Sequence, residues 1–287
     1  MKKPVRSSGQ GAAVLIIAGG RGTRFWPLSR ASRPKPLFSL DGKTSLLAAT
    51  IARARAIVRR DRIFVLAAKE QGRPFRAALR AAIPAGNLII EPEGRGTAVA
   101  IAYGAAVIGR RLGDVTIAVM PADHHIAPTS GFRDTIRAAI GLARTRGALV
   151  VIGVKPTRAE PGFGYQEIGP RVGAGFKVAS FVEKPALRDA QRMVRSGRYL
   201  WNAGMFVIGT RVLEGELRAH CPSLAAAIAS IMAAPARVQR IYRRLDFDSF
   251  DRVIAERSAN VLGVRARFRW HDVGSWDGLW EAMRSTP

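Results

Sequence analysis

Leu15-Ile16-Ile17-Ala18-Gly19-Gly20-Arg21-Gly22-Thr23-Arg24, followed by Arg33-Pro34-Lys35-Pro36, is the stretch on which the reading of this chain turns. An apolar run that passes directly into glycines is a buried strand ending in a tight turn. Glycine has no Cβ to hold a ligand away, so the backbone N–H groups of such a turn can close on phosphate oxygens. The loop is neither a P-loop, which needs Gly-x-x-x-x-Gly-Lys-Ser/Thr, nor the dinucleotide fingerprint, whose third glycine is missing. Alone, Gly-Gly-x-Gly would be an ordinary turn. Arg21, Arg24, Arg33 and Lys35 crowd the same 15 residues, however, and polyphosphate is the natural counter-charge. Lys35 sits between two stiffening prolines in a chain with 38 Arg and only eight Lys, which marks it as a chosen point charge.

Outward from this strand the pattern repeats. Ala13–Ala18, Arg62–Ala67, Asn87–Ile90, Val115–Met120 and Ala148–Gly153 read as buried strands. Thr44–Val58, Lys69–Ala82, Thr97–Leu112 and Ser130–Arg144 between them read as helices, three with Ser or Thr available as an N-cap. This β-α-β alternation predicts an α/β fold with a doubly wound, mixed but mostly parallel sheet. Past about residue 154 come extended pieces at Tyr165–Ile168, Lys177–Glu183 and Trp201–Ile208, a helix at Leu187–Ser196 and further helices within Glu214–Leu245. They predict a continuing sheet with an added lobe. There is no internal repeat and no linker, so one mixed α/β unit is expected.

With 287 residues, 48% hydrophobic and 23% charged, the composition is globular and excludes disordered, collagen-like and coiled-coil classes. One cysteine, Cys221, rules out an intrachain disulfide, and four scattered histidines build no zinc site, so a reducing, cytoplasmic setting is expected. The run Ala12 to Ala18 is far shorter than a membrane span and lacks a signal-peptide cleavage pattern. The net charge is +25, and the first 60 residues hold 13 basic and one acidic residue. The cations are scattered, without interleaved aromatics, so a solvated Arg-rich surface is expected in place of a specific nucleic-acid site.

Two more clusters carry carboxylates. Pro121-Ala122-Asp123-His124-His125 follows a core strand, and ligands of open α/β sheets sit beyond the carboxyl ends of strands, so Asp123 is expected to face the glycine turn. A carboxylate there suits Mg²⁺; adjacent His124 and His125 diverge and are read as structural or supporting. Trp270-His271-Asp272-Val273-Gly274-Ser275-Trp276 places Asp272 in a short loop ahead of a helix. Phe181-Val182-Glu183-Lys184-Pro185 and Trp201-Asn202-Ala203-Gly204-Met205-Phe206 supply the acceptor, cation and amide that hold a phosphorylated sugar.

These pieces, with Phe25-Trp26-Pro27-Leu28-Ser29-Arg30, Glu91-Pro92-x-Gly94-Arg95-x-Thr97-Ala98, Gly162-Phe163-Gly164-Tyr165 and Phe250-Asp251, resemble the sugar-1-phosphate nucleotidylyltransferase family. Within it they are similar to the mannose-1-phosphate guanylyltransferase branch, in order, from about residue 13 to 280. The resemblance implies the Rossmann-like nucleotide-diphospho-sugar transferase fold with an added sugar-binding lobe. It implies GTP and mannose 1-phosphate as substrates, Mg²⁺ held by Asp123 and Asp272, and catalytic roles for Arg24 and Lys35. The implied nucleotide-binding residues are Ala18, Gly19, Gly20, Gly22, Thr23, Arg24, Lys35, Arg95, Thr97 and Asp123; those for the sugar phosphate are Gly164, Glu183, Lys184 and Asn202. Residues 1–12 are expected to be a basic tail and 13–287 a single catalytic domain, with no C-terminal β-helix or cupin-like domain. No membrane or specific nucleic-acid partner is implied, and a homodimer stays open.

The chain departs from the branch at Arg95-Gly96-Thr97-Ala98-Val99-Ala100, where Arg-Asn-Thr-Ala-Pro-Ala is usual. Loss of that amide predicts leakage to other nucleotides, tightened by Gly96→Asn. A thymidylyl- or uridylyltransferase for glucose 1-phosphate, a catalytically silent sensor and a polyanion binder remain alternatives.

Overall fold

The computed structural model of the chain describes residues 11–20, 34–39 and 42–273. A nine-stranded sheet forms its centre, in the order β3-β2-β1-β4-β9-β6-β10-β8-β7. The strands are β1 (Ala12–Ile17), β2 (Ile63–Ala68), β3 (Leu88–Glu91), β4 (Thr116–Pro121), β6 (Leu149–Val154), β7 (Gly164–Val172), β8 (Gly175–Glu183), β9 (Tyr199–Gly209) and β10 (Val261–Arg265); β5 (His124–Ala127) and β11 (Arg269–Asp272) form a separate two-stranded sheet. β1 pairs in parallel with both β2 and β4, β2 with β3, and β6 with β10. β9 is inserted antiparallel between β4 and β6, so β6 and its parallel partner β10 run the same way as β3, β2, β1 and β4. The expected mixed sheet forms: it is parallel through β3-β2-β1-β4 and at β6-β10, and antiparallel at its other pairings.

Alternation along β1 explains its unbroken apolar run. Ala12, Val14 and Ile16 point into one core layer and Ala13 and Leu15 into the other, so neither face can be polar. The first layer packs α1 (Leu46–Arg55), α2 (Gly72–Leu79), α4 (Thr129–Arg146) and α5 (Leu187–Ser196) through residues such as Ile51, Phe75, Ile136 and Met193. The second packs α3 (Thr97–Leu112), α6 (Thr210–His220) and α7 (Pro222–Ala233) through Ile101, Ile108, Leu217 and Ile228; a short α8 (Val238–Tyr242) adds Tyr242. No described helix is long and apolar enough to cross a membrane.

Three details differ from the sequence reading. β1 starts at Ala12, inside the expected tail. Of the three helices with Ser or Thr available as a cap, the first is capped by Ser45, which accepts from the Ala48 N–H at 3.1 Å, whereas α3 and α4 are preceded by Gly96 and Pro128. Asp272 ends strand β11 and does not lie in a loop, because it pairs with His124 across the small sheet.

Candidate active site

The strand order 3-2-1-4 reverses direction between β1 and β4, which opens a crevice beyond their carboxyl ends. Ile17 and Pro121 pair across it, and the Ala122 N–H donates to Ile17 O at 3.0 Å. Gly19-Gly20 and Asp123 therefore flank one cleft, as the sequence suggested. Ala18 is tied down by its N–H to Leu66 O at 2.8 Å, and Gly20 O accepts from Gln71 Nε2 at 3.1 Å. Lys35 opens a one-turn 3₁₀ helix (Lys35–Leu37) and reaches Asp123 Oδ2 with its ammonium at 2.5 Å. Burial alone would raise the Asp123 pKa, but the Lys35 charge and hydrogen bond hold its carboxyl below the usual range.

The small sheet brings the second carboxylate to this place. Its register sets Asp272 opposite His124, next to Asp123, with His124 Nε2 at 3.9 Å from Asp272 Oδ1. Trp270 Nε1–H donates to His124 Nδ1 at 3.1 Å, which puts the proton of a neutral imidazole on Nε2, facing Asp272. Burial pushes the His124 pKa down and favours that neutral form. His125 points to the other face, beside His271, so the adjacent histidines form no chelating pair. Beneath them, buried Arg53 of α1 donates to His124 O at 3.0 Å and props the β5 backbone.

The Glu91-to-Thr97 segment lines the far side of the turn. Glu91 is 2% exposed and accepts from the Tyr242 hydroxyl at 2.6 Å; burial raises its pKa to about 7. A Cβ on Gly19 would lie 2.5 Å from Glu91 Oε1, so only glycine admits this carboxylate against the turn. Arg95 leans on Glu93 at 3.2 Å. Thr97 Oγ1 accepts the Phe250 N–H at 2.9 Å, which joins the start of α3 to the Phe250-Asp251 segment. Gly96 has φ 87° and ψ 161°, a region open essentially to glycine alone, and a Cβ there would lie 2.6 Å from Phe247 O. The expectation that Gly96→Asn restores a pocket contact is thus overturned: the backbone here is built for glycine.

All four sugar-phosphate candidates converge on one recess. A Cβ on Gly164 would meet Glu183 Oε2 at 2.5 Å and Asn202 Cβ at 3.3 Å. Lys184 Nζ lies 3.2 Å from Glu183 Oε1, and the Glu183 side chain is almost fully buried, which raises its pKa. Lys184 takes φ 52°, although it precedes a proline; its N–H donates to Phe163 O at 3.2 Å. A non-glycine residue held in the left-handed region costs of order 1 kcal/mol or more and marks a site whose surroundings enforce it. Asn202 Nδ2 donates to Asp251 Oδ1 at 2.6 Å, and Asn202 Oδ1 accepts the Gly204 N–H at 3.2 Å. Gly204 in turn abuts the Asp123 side of the cleft, since a Cβ there would contact His124 Cε1 at 3.8 Å.

Arg21, Gly22, Thr23, Arg24 and Arg33, with Gly274, Ser275 and Trp276, lie outside the described residues. The sequence reading assigned no role to Glu91, Tyr242, Asp251 or Glu256. The only local signal for the first and third was their place in quoted motifs, because their partners are 151 and 49 positions away.

The chain matches the Nucleotidyl transferase family over residues 13–287. The xanthan biosynthesis protein XanB of Xanthomonas campestris pv. campestris is 39% identical over 277 residues, covering 92% of this chain and 58% of that protein. The mannose-1-phosphate guanylyltransferase ManC of Salmonella typhimurium is 37% identical over 296 residues, covering 95% and 60%. The chain thus spans about 58–60% of the length of these relatives. A crystal structure from Thermus thermophilus, described as a mannose-1-phosphate geranyltransferase, superposes with a TM-score of 0.86 at 33% identity, over 96% of this chain and 80% of that one. With the strand order, the glycine turn and the paired subsites in one frame, this match places the chain in the Nucleotidyl transferase family.

Proposed function

We propose that the chain is a mannose-1-phosphate guanylyltransferase, converting GTP and mannose 1-phosphate into GDP-mannose and pyrophosphate. The observation that carries this reading is the abutment of the two subsites: Gly204, whose N–H fixes Asn202, sits against His124, the neighbour of Asp123. A sugar phosphate seated at Gly164, Glu183, Lys184 and Asn202 would direct its phosphate toward the cleft between Gly19-Gly20 and Asp123. An oxygen of that phosphate attacks the α-phosphorus in line, the bond to the β-phosphate oxygen breaks, and pyrophosphate leaves. The nucleophile is already ionised, so no general base is required. Positioning and charge neutralisation remain for the protein to supply.

In this reading Ala18, Gly19, Gly20, Gly22 and Thr23 bind the nucleotide, together with Arg95 and Thr97. Arg24 and Lys35 take the triphosphate charge, and Lys184 takes the sugar phosphate. Asp123 and Asp272 fit Mg²⁺: both are hard oxygen donors and partly exposed, Asp123 immediately before β5 and Asp272 at the end of its partner β11, and they would hold the ion together with water and phosphate oxygens. Bound there, the ion would offset triphosphate charge and polarise the α-phosphate. The choice of guanine rests in this reading on the similarity to mannose-1-phosphate guanylyltransferases such as ManC. A single catalytic domain over 13–287 and a cytoplasmic location belong to the same proposal.

The test is mass-spectrometric detection of GDP-mannose from purified protein, GTP, mannose 1-phosphate and Mg²⁺. Absence of that product, with dTDP- or UDP-glucose formed instead, would move the chain to the neighbouring branch.

A further inference from the structure

Asp251 opens a π-helical turn, Asp251–Ala255, a geometry that recurs at functional sites. The turn is anchored on both sides. Phe250 is fully buried against Phe206 of β9, ring centroids 4.7 Å apart, and the Phe250 N–H is held by Thr97 Oγ1. From this fixed base two carboxylates reach the sugar-phosphate recess. Asp251 Oδ1 accepts from Asn202 Nδ2 at 2.6 Å, and Glu256 Oε1 accepts the Glu183 N–H at 2.5 Å.

The first contact decides which way Asn202 faces. An amide is nearly symmetric in shape but not in hydrogen bonding. With its N–H on a carboxylate and its C=O on the Gly204 N–H, a flip would set acceptor against acceptor and donor against donor. The remaining N–H and lone pair of Asn202 are therefore presented to the recess in a fixed order. Maintaining this is costly: Asp251 is crowded by protein and by the Glu183 charge, and its pKa rises to about 7. Lys184 offsets part of that repulsion. A carboxyl kept beside a second carboxyl is a standing penalty for the fold, tolerated where the group has a task.

We propose that Asp251 is a positioning residue of the sugar-phosphate site, holding the Asn202 amide in the one orientation that reads the hexose, so that affinity for the hexose 1-phosphate and discrimination between its epimers depend on it. The inference rests on the reading of Gly164, Glu183, Lys184 and Asn202 as the sugar-phosphate subsite.

The test is steady-state kinetics on the full chain with GTP and either mannose 1-phosphate or glucose 1-phosphate, comparing Asp251→Asn, Asn202→Ala and the double variant with the unmodified protein. Asp251→Asn keeps the shape but lets an N–H face Asn202. The KM for mannose 1-phosphate should rise about tenfold or more, as for loss of a charge-assisted hydrogen bond. The KM for GTP should stay within about twofold, and the preference for mannose over glucose should narrow. The double variant should be no worse than Asn202→Ala alone, because one residue acts through the other. Equal changes in both KM values, or additive effects in the double variant, would overturn the proposal. Should Asp251→Asn melt too low to assay, Asp251→Ser, with a smaller hydroxyl acceptor, is read by the same criteria. An unmodified chain that uses no hexose 1-phosphate fails the proposed function and this inference with it. Normal turnover with Asp251→Asn unchanged fails this inference alone.

Discussion

Lys35 Nζ lies 2.5 Å from Asp123 Oδ2, and the ammonium is the more buried partner, 8% exposed against 28% for the carboxylate. Asp123 therefore has a structural duty beside its proposed metal duty, since it is a counter-charge of a mostly buried ammonium and breaking such a pair is destabilising. Asp123→Ala should lose about 2–4 kcal/mol of stability and several orders of magnitude in kcat. Asp272, 3.9 Å from a His124 kept neutral by burial, has no such partner among the described residues. Asp272→Ala should cut kcat comparably with little change in stability. Thermal melts by circular dichroism beside kcat measurements check both; near-normal turnover in the two variants would refute the metal assignment.

Glu91 gives the chain a pH-dependent stability. Its folded pKa, about 7, lies above the ordinary value of 4.5, so the folded state binds this proton more tightly than the unfolded chain does. Stability should fall as pH rises from about 4.5 through 7, where the unfolded chain holds fewer protons than the folded one. Glu91→Gln stays neutral and keeps an acceptor for Tyr242. Relative to the unmodified protein it should gain about 2–3 kcal/mol between pH 5 and pH 8. Urea unfolding at the two pH values measures this, and a difference independent of pH would contradict the burial argument.

The two lysines should separate kinetically. Lys184→Ala removes the cation of the proposed sugar-phosphate recess and should raise the KM for mannose 1-phosphate, whereas Lys35→Ala should lower kcat or raise the KM for GTP. A Lys184→Ala effect confined to the GTP KM would reverse the assignment.

Much of this was legible along the chain because the informative signals are local. β1, β2, β4 and β6 are each apolar on both faces and bounded by turn residues, and the glycine turn, Asp123 and the Glu183-Lys184 pair stand at strand ends. β5 and β11 escaped because His124-His125-Ile126-Ala127 and Arg269-Trp270-His271-Asp272 are four-residue strands whose polar, aromatic content makes sense only once they pair with each other. β10, Val261–Arg265, was passed over although its run is apolar. Asp251 was visible as a residue but not as a partner of Asn202, which a different strand delivers.

Gly96 shows the reverse case, a residue whose sequence reading pointed the wrong way. Gly96→Asn would put a Cβ 2.6 Å from Phe247 O at φ 87°. It should lose about 2 kcal/mol or more and should not sharpen selectivity for GTP. Urea denaturation with nucleotide competition checks this; a stable variant with sharper GTP selectivity would contradict the observed backbone.

The most direct test of the central claim is kcat/KM for GTP, ATP, UTP and dTTP, each with mannose 1-phosphate and with glucose 1-phosphate, read by pyrophosphate release in the presence of Mg²⁺. The account predicts the highest value for GTP with mannose 1-phosphate and measurable but lower values for the other donors. A clear preference for dTTP or UTP with glucose 1-phosphate would contradict it.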